Sequence, residues 1–301
     1  MIYYVLIILS VFCYSAQFAF TKIFECGTKQ TATTSLIMLV ITGLVGALLF
    51  LCVGRFTVQC NVRSLLWAIA MAGLMIPYYM IGIKVLSLGS LVTYSMFMML
   101  GGMLVPFFYG LVFLREGITW GKAVGTLVLT ACIVLQARSQ TQEENTKRNN
   151  STLFIFLCLV IFFINGMTGV VSKAHQIHPT AVDEISFTVL YCLLTAFFAL
   201  LLLVGLLITG QKQEQIAQAK SAFTVQKTFV MAGIGVAAHT GNFLALKATV
   251  HVPASVQFPI ISGGTIVLSA LVSAFVFKER ISKKEWLCVL GAFIATLLFA
   301  F

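Results

Sequence analysis

The side chains able to do chemistry are few, and their placement is the first clue. Nine acids occur, Glu25, Glu116, Glu143, Glu144, Asp183, Glu184, Glu214, Glu279 and Glu285, all in polar links or at the ends of apolar runs. A carboxylate inside hydrocarbon is expensive and marks proton relays or ion paths. Its absence argues against a carboxylate relay and removes the usual general acid and base of an enzyme. Tyr and Cys aside, His239 is the ionisable side chain that falls well inside an apolar run. Its ordinary pKa is near neutrality, so it could contact a substrate or carry a proton; the alternative is a neutral histidine bonded between helices. Asn242, one turn on, shares its face. His175 and His178 form HQIH, a spacing that can chelate a metal on a helix. Pro179 follows at once and no third ligand is near, so a surface link is expected, with no metal and no cofactor.

A second set of polar residues recurs. Tyr14, Gln17 and Thr21 stand at i, i+3 and i+7 and end at Lys22; 151 residues on, Asn165, Thr168, Ser172 and Lys173 repeat the pattern. That spacing puts each set on one helix face. At a shift of 163, Lys84 meets Lys247, Gly101 meets Gly264, Glu116 meets Glu279 and Ile118 meets Ile281. Tyr79 then meets Asn242 and Tyr94 meets Gln257. The first half offers aromatic faces where the second offers amides. Polar groups in hydrocarbon need partners or water, so Tyr14, Gln17, Tyr79, Tyr94, Asn165, His239, Asn242 and Gln257 are expected to face the interior. They form either the wall of a cavity or ordinary interhelical bonds. The lysines at matching helix ends snorkel to lipid headgroups or attract anions to a cavity mouth. Pro77, Pro106 and Pro259 lie within apolar runs near Gly101 and Gly264. Such breaks permit gating, or accommodate close packing.

The elements that must hold these residues are apolar. The 301-residue chain is 60% hydrophobic and 9% charged, against roughly 25% charged in soluble domains. It must live in a bilayer. Ten runs are long enough to span one, at about 2–22, 34–54, 64–83, 90–113, 119–137, 152–172, 184–209, 228–246, 254–277 and 285–301. Residues 138–151 form a polar linker, and QKQEQIAQAK (211–220) reads as a short amphipathic surface piece. The run 2–20 has no positive charge before it and reads as a retained helix rather than a signal peptide. The net charge of +10 comes from Lys and Arg scattered at helix ends, which suits headgroups and not nucleic acid. The eight cysteines form no CxxC pair and read as apolar packing residues.

An all-α integral membrane protein follows: ten transmembrane helices in two five-helix repeats, 1–137 and 152–301. A repeat with an odd number of spans enters the membrane from opposite sides, so the topology is inverted. Links on one side carry Lys22, Lys29, Lys84, Arg138, Lys147, Arg148, Lys212, Lys220, Lys227, Lys278, Arg280, Lys283 and Lys284. The other side carries Arg55, Arg63, Arg115, Lys122, Lys173 and Lys247. Positive charge stays inside, which puts both termini outside the cytoplasm of a multi-pass plasma-membrane protein.

The two halves, each with an acidic–basic turn before its last helix (LREGITWGK and FKERISKKEW), resemble the drug/metabolite transporter superfamily, in particular its EamA-type bacterial branch. The resemblance covers nearly the whole chain. It implies alternating access about a central cavity lined mainly by helices 1, 3, 4 and 6, 8, 9. The chain departs from members that exchange cations for protons through a first-helix carboxylate, since that helix has Tyr14 and Gln17 instead. The expected function is secondary transport of a small neutral or zwitterionic metabolite, such as an amino acid. A coupling proton or an exchanged solute is left open as a second partner. The alternatives are a quaternary-ammonium or other cationic compound held by tyrosines, and, from another class, a membrane-embedded enzyme acting on lipid.

Overall fold

The computed structural model describes residues 2–29, 31–88, 91–143, 148–209, 217–219, 222–278 and 283–299. The expectations for Glu279 and Ile281, for residues 144–147 of the linker and for most of QKQEQIAQAK fall outside them. The described chain is helical. In order, the long helices are α1 (Ile2–Gly27), α2 (Ala32–Val53), α3 (Val62–Leu88), α4 (Leu91–Val112), α5 (Trp120–Glu143), α6 (Arg148–Gln176), α7 (Glu184–Thr209), α8 (Val225–Thr249), α9 (Ala254–Phe275) and α10 (Lys283–Phe299). Seven of them, α1, α2, α3, α6, α7, α8 and α9, are long and apolar enough to cross a membrane, and α4 and α10 carry shorter apolar stretches. The outer surface presents large apolar side chains such as Phe12, Leu48, Leu66, Leu127, Phe156 and Phe197. A water-facing surface does not tolerate so many, and lipid does. The molecule is a multi-pass membrane protein.

Several helices overrun the apolar runs that foretell them. α6 starts at Arg148 and ends at Gln176, and α8 covers Val225–Thr249. Hydropathy marks only the stretch inside hydrocarbon, about 20 residues, while backbone bonding continues the helix into the headgroup layer. Pro77, Pro106 and Pro259 all sit inside continuous helices.

Helices from the first half pack mainly on helices from the second. α1 lies against α8 and α9, α2 against α7, α3 against α6 and α7, α4 against α6 and α9, and α5 against α10. Small residues permit the close crossings. A Cβ on Gly43 of α2 would lie 2.9 Å from the Cys192 carbonyl of α7, and one on Gly54 would lie 2.9 Å from Ile185 Cγ2. The late residue meets the early one, so α2 and α7 run antiparallel. α5 and α10 do the same, with Gly125 against Phe299 and Gly291 against Cys132. So do α4 and α9: Gly110, near the end of α4, faces Ala254, the first residue of α9.

The echo at 163 residues has structural counterparts. α3 begins at residue 62 and α8 at residue 225. The turns after α4 and α9 share their bonding. Phe113 N and Leu114 N both donate to the Tyr109 carbonyl, as Val276 N and Phe277 N do to that of Val272. Arg115 and Lys278 each take φ 54°, a left-handed conformation that non-glycine residues seldom adopt.

Charged residues tie the helix ends. Glu116 accepts from the backbone N–H of Ala254 (2.7 Å) and Ser255 (2.8 Å), capping the positive end of α9 as a carboxylate should. Lys122 donates to Ser255 Oγ (2.8 Å) and the Gly117 carbonyl (2.9 Å). Lys173 does not snorkel. It is buried and donates to the Thr249 and Val252 carbonyls at the end of α8, which gives its charge fixed dipoles in place of water. Lys247 remains exposed, over the Phe243 ring, and Lys84 is also exposed. Lys22 donates to Ser273 Oγ (2.9 Å) and lies over Phe277.

His175 corrects another expectation. It belongs to the last turn of α6 rather than a surface link, is buried, stacks on Phe187 and bonds Ser64 Oγ at 2.9 Å. α6 continues past it because Pro179 restricts only the residues beside it, three positions further on. His178 is half-buried, and its Nε2 lies 2.7 Å from Arg63 Nη1.

Candidate functional site

A cavity of about 220 Å³ lies between the halves. Seven of the eight residues singled out above line it: Tyr14, Gln17, Tyr79, Asn165, His239, Asn242 and Gln257. Tyr14, Asn165, His239 and Asn242 stand near the middles of α1, α6 and α8, so the cavity sits at mid-depth. Tyr94 does not line it. A Cβ on Gly82 would lie 2.8 Å from the Tyr94 hydroxyl, so that ring stands against α3 behind the wall. Tyr78 takes its place on the lining and donates to Met98 Sδ. Tyr78 and its neighbour Tyr79, about 100° apart around α3, both line the cavity.

The polar wall is built by α6, α7, α8 and α9. Asn165 Nδ2 reaches across to the Met98 carbonyl of α4 at 2.7 Å. It can do so because Gly102 has no side chain: a Cβ there would stand 2.7 Å from Asn165 Nδ2. Gly101 is set directly on the Phe162 carbonyl, and its repeat partner Gly264 on Val11, 3.1 Å from where a Cβ would be. These glycines bring α4 against α6 and α9 against α1.

His239 is held by a chain of bonds. Asn242 Nδ2 donates to the Tyr191 hydroxyl at 2.9 Å, and that hydroxyl lies 3.1 Å from His239 Nδ1. The hydroxyl receives from Asn242 and pairs with Nδ1, as donor or acceptor according to the ring tautomer. The imidazole is wedged on α2, where a Cβ on Gly46 would overlap it. Cys192 Sγ also lies 3.3 Å from His239 Nδ1. Cys192 is fully buried and off the lining, so this thiol has no access to a substrate.

Tyr191 and Thr195, both on α7, escape the sequence comparison. At the offset of 152 that aligns the starts of α2 and α7 they face Leu39 and Gly43, so no polar echo marks them. Both line the cavity, and Thr195 Oγ1 is buried without a partner. Gln257, one turn into α9, is fully buried. Its Nε2 donates to the Ala245 carbonyl (2.7 Å) and Thr249 Oγ1 (3.1 Å), and its Oε1 has no partner.

The opposite wall is aromatic and thioether: Tyr14, Phe18, Tyr78 and Tyr79 with Met71, Met75, Met98 and Met99, all from the first half. Among the described residues the lining includes no Asp, Glu, Lys or Arg. Such a site can orient a polar molecule by hydrogen bonds and accommodate an apolar side on soft, adaptable thioethers.

Compared by sequence, the chain matches no protein-family profile and no curated protein. Compared by structure, it matches a solved structure described only as "Crystal structure of protein", with a TM-score of 0.67 at 12% identity over 98% of this chain and 97% of the other. At that identity the likeness establishes a common fold and carries nothing about activity.

Proposed function

We propose that this chain is a secondary transporter that moves a small neutral or zwitterionic organic metabolite, such as an amino acid, across the cell membrane by alternating access. The observation that carries the reading is the cavity: mid-depth in an apolar bundle, walled by both halves, polar but without an Asp, Glu, Lys or Arg among the described residues of its lining. Polar groups are costly at such depth, and a packed bundle has no need to line an open space with them.

The finer architecture belongs to the same reading: ten spans in two inverted five-helix repeats, 1–137 and 152–301, with 138–151 between. It is supported by the starts of α3 and α8, 163 residues apart, and by the matching turns at Arg115 and Lys278. The antiparallel packing of three equivalent pairs, α2 with α7, α4 with α9 and α5 with α10, is what inversion produces. This is also the architecture that a drug/metabolite transporter of the EamA type would have. Pro77, Pro106 and Pro259, with the crossings at Gly101 and Gly264, are the places where the halves would flex.

A quaternary-ammonium substrate is the second reading. Tyr14, Tyr78 and Tyr79 on one wall favour it, since aromatic faces attract such cations. A lipid-modifying enzyme gains no support from a lining without an acid pair.

Solute flux into proteoliposomes tests the proposal. The wild-type protein is expected to move a subset of small metabolites. Asn242→Ala and Tyr79→Ala should each weaken binding by about 1–3 kcal/mol for the partner left unpaired, with expression and folding intact. Wild-type rate and affinity in both variants would place the substrate elsewhere.

A further inference from the structure

His239 is the one imidazole on the cavity lining among the described residues, and its charge is tied to a hydroxyl that also lines the cavity. Neutral imidazole has one N–H and one acceptor nitrogen, whereas imidazolium has two N–H groups and no acceptor. Nδ1 lies 3.1 Å from the Tyr191 hydroxyl, and that oxygen already receives from Asn242 Nδ2 at 2.9 Å. While Nδ1 is unprotonated, the Tyr191 proton can rest on it. Once Nδ1 carries a proton it must donate, and the Tyr191 oxygen then receives from both sides. Its own proton has no place on either bond and turns toward the cavity that Tyr191 lines. Asn242 keeps a second N–H beyond the one it gives to Tyr191. Protonation of the ring therefore adds a positive charge and a hydroxyl donor to a wall that already offers an amide N–H.

The groups around the ring supply no counter-ion among the described residues. α7 brings Tyr191 and Cys192, whose Sγ lies 3.3 Å from Nδ1. α1 brings Cys13 and Tyr14, set against Gly241. α2 meets the ring at Gly46, and α6 and α9 place no titratable side chain on the lining. Lys173 of α6 is turned to the Thr249 and Val252 carbonyls at the end of α8, and Lys247 of α8 lies over Phe243. A lone cation at mid-depth is expensive, so an anion beside it is what makes the protonated ring tolerable. We infer that His239 is a proton-binding site that fills together with the substrate, and that the substrate bears a carboxylate, which accepts from the Tyr191 hydroxyl and lies against the protonated ring. The inference rests on the transport reading and names its coupling ion and one group of its solute. Proton and carboxylate each offset the cost of the other, so each raises the affinity for the other by the same factor. A zwitterionic amino acid meets this requirement. A permanent cation without a carboxylate would be repelled by the protonated ring and would gain nothing from the hydroxyl.

Full-length wild-type protein in proteoliposomes tests this, with protein-free vesicles as the blank. The standard amino acids, lactate and pyruvate serve as probes. Solute flux and luminal pH are followed in vesicles, and binding to purified protein is followed by titration. A transported carboxylate is expected to acidify the lumen as it enters, one proton for each molecule. Its Kd should fall by up to about tenfold for each unit between about pH 8 and pH 6, the limit for one linked proton. Carboxylates themselves do not titrate in that range. In His239→Gln, which keeps a hydrogen-bonding side chain but cannot take up a proton, the binding that remains should be independent of pH. The proton count in the wild type stands whether or not that variant folds. Carboxylate flux without proton movement and without pH dependence would overturn the inference and leave transport standing. So would a pH dependence unchanged in His239→Gln, which would place the proton on another group. Binding of a carboxylate that depends on pH only while His239 is present, with no flux of any solute, would overturn transport and leave the shared site standing. Flux confined to solutes without a carboxylate would overturn the inference alone.

Discussion

Tyr191 connects the two polar side chains that were singled out first. Its hydroxyl receives from Asn242 and pairs with His239 Nδ1, and it belongs to neither of the helices that carry the repeated polar stripes. Removing it leaves a donor on Asn242 and Nδ1 of His239 unpaired in a partly closed site, each worth about 1–3 kcal/mol. Tyr191→Phe should therefore lower substrate affinity as much as Asn242→Ala does, while the ring keeps its tilted packing on His239 and Phe187. Isothermal titration of the two single variants and the double variant checks this. Because both act on one chain of bonds, the double variant should cost less than the sum of the singles. Full additivity would mean that Tyr191 and Asn242 act separately. Sequence reading could find His239 and Asn242 because they lie one turn apart. It could not find Tyr191 or Thr195, because an isolated polar residue in an apolar helix has no partner in the chain's own repeat. Nor could it separate the four wall methionines from core methionines, since hydropathy treats both alike.

At the scale of the element, the helices were legible and their ends were not. Long apolar runs mark the hydrocarbon layer, so α1 to α10 overlap the ten expected runs, but α6 and α8 extend beyond theirs at both ends. Lys173 and His175 were misjudged for that reason: a lysine and a histidine near the end of an apolar run look exposed, and here each finds buried partners on another helix. The glycines at the crossings were legible as a repeat, and the structure separates them. A Cβ on Gly101 would collide with the Phe162 backbone, which cannot move without shifting α6. One on Gly264 would meet only the methyls of Val11, at 3.1 Å. Gly101→Ala should therefore destabilise the protein by about 1–3 kcal/mol, as overpacking does. Gly264→Ala should be close to neutral, since Val11 can turn and alanine favours the helix. Melting temperatures in one detergent compare them directly. Equal losses would mean that both crossings are equally rigid.

For the whole molecule, the question is how the two halves sit in the bilayer. Three equivalent pairs, α2 with α7, α4 with α9 and α5 with α10, pack antiparallel, and the five spans per half proposed above would reverse the entry of the second half, so the two point the same way. In that arrangement Arg55, in the link after α2, and Arg148, at the start of α6, lie on opposite faces. Lys and Arg crowd the links on the side of Arg148, and cationic links stay in the cytoplasm. Single cysteines placed at 55 and at 148 in a variant lacking the eight native thiols should then react differently with an impermeant maleimide applied to intact cells. Position 55 should be labelled and position 148 protected until the cells are opened. Labelling of 148 with protection of 55 would reverse the orientation and keep the inverted repeat. Labelling of both from outside would remove the odd number of spans between them, and with it the inverted repeat on which the shared cavity depends.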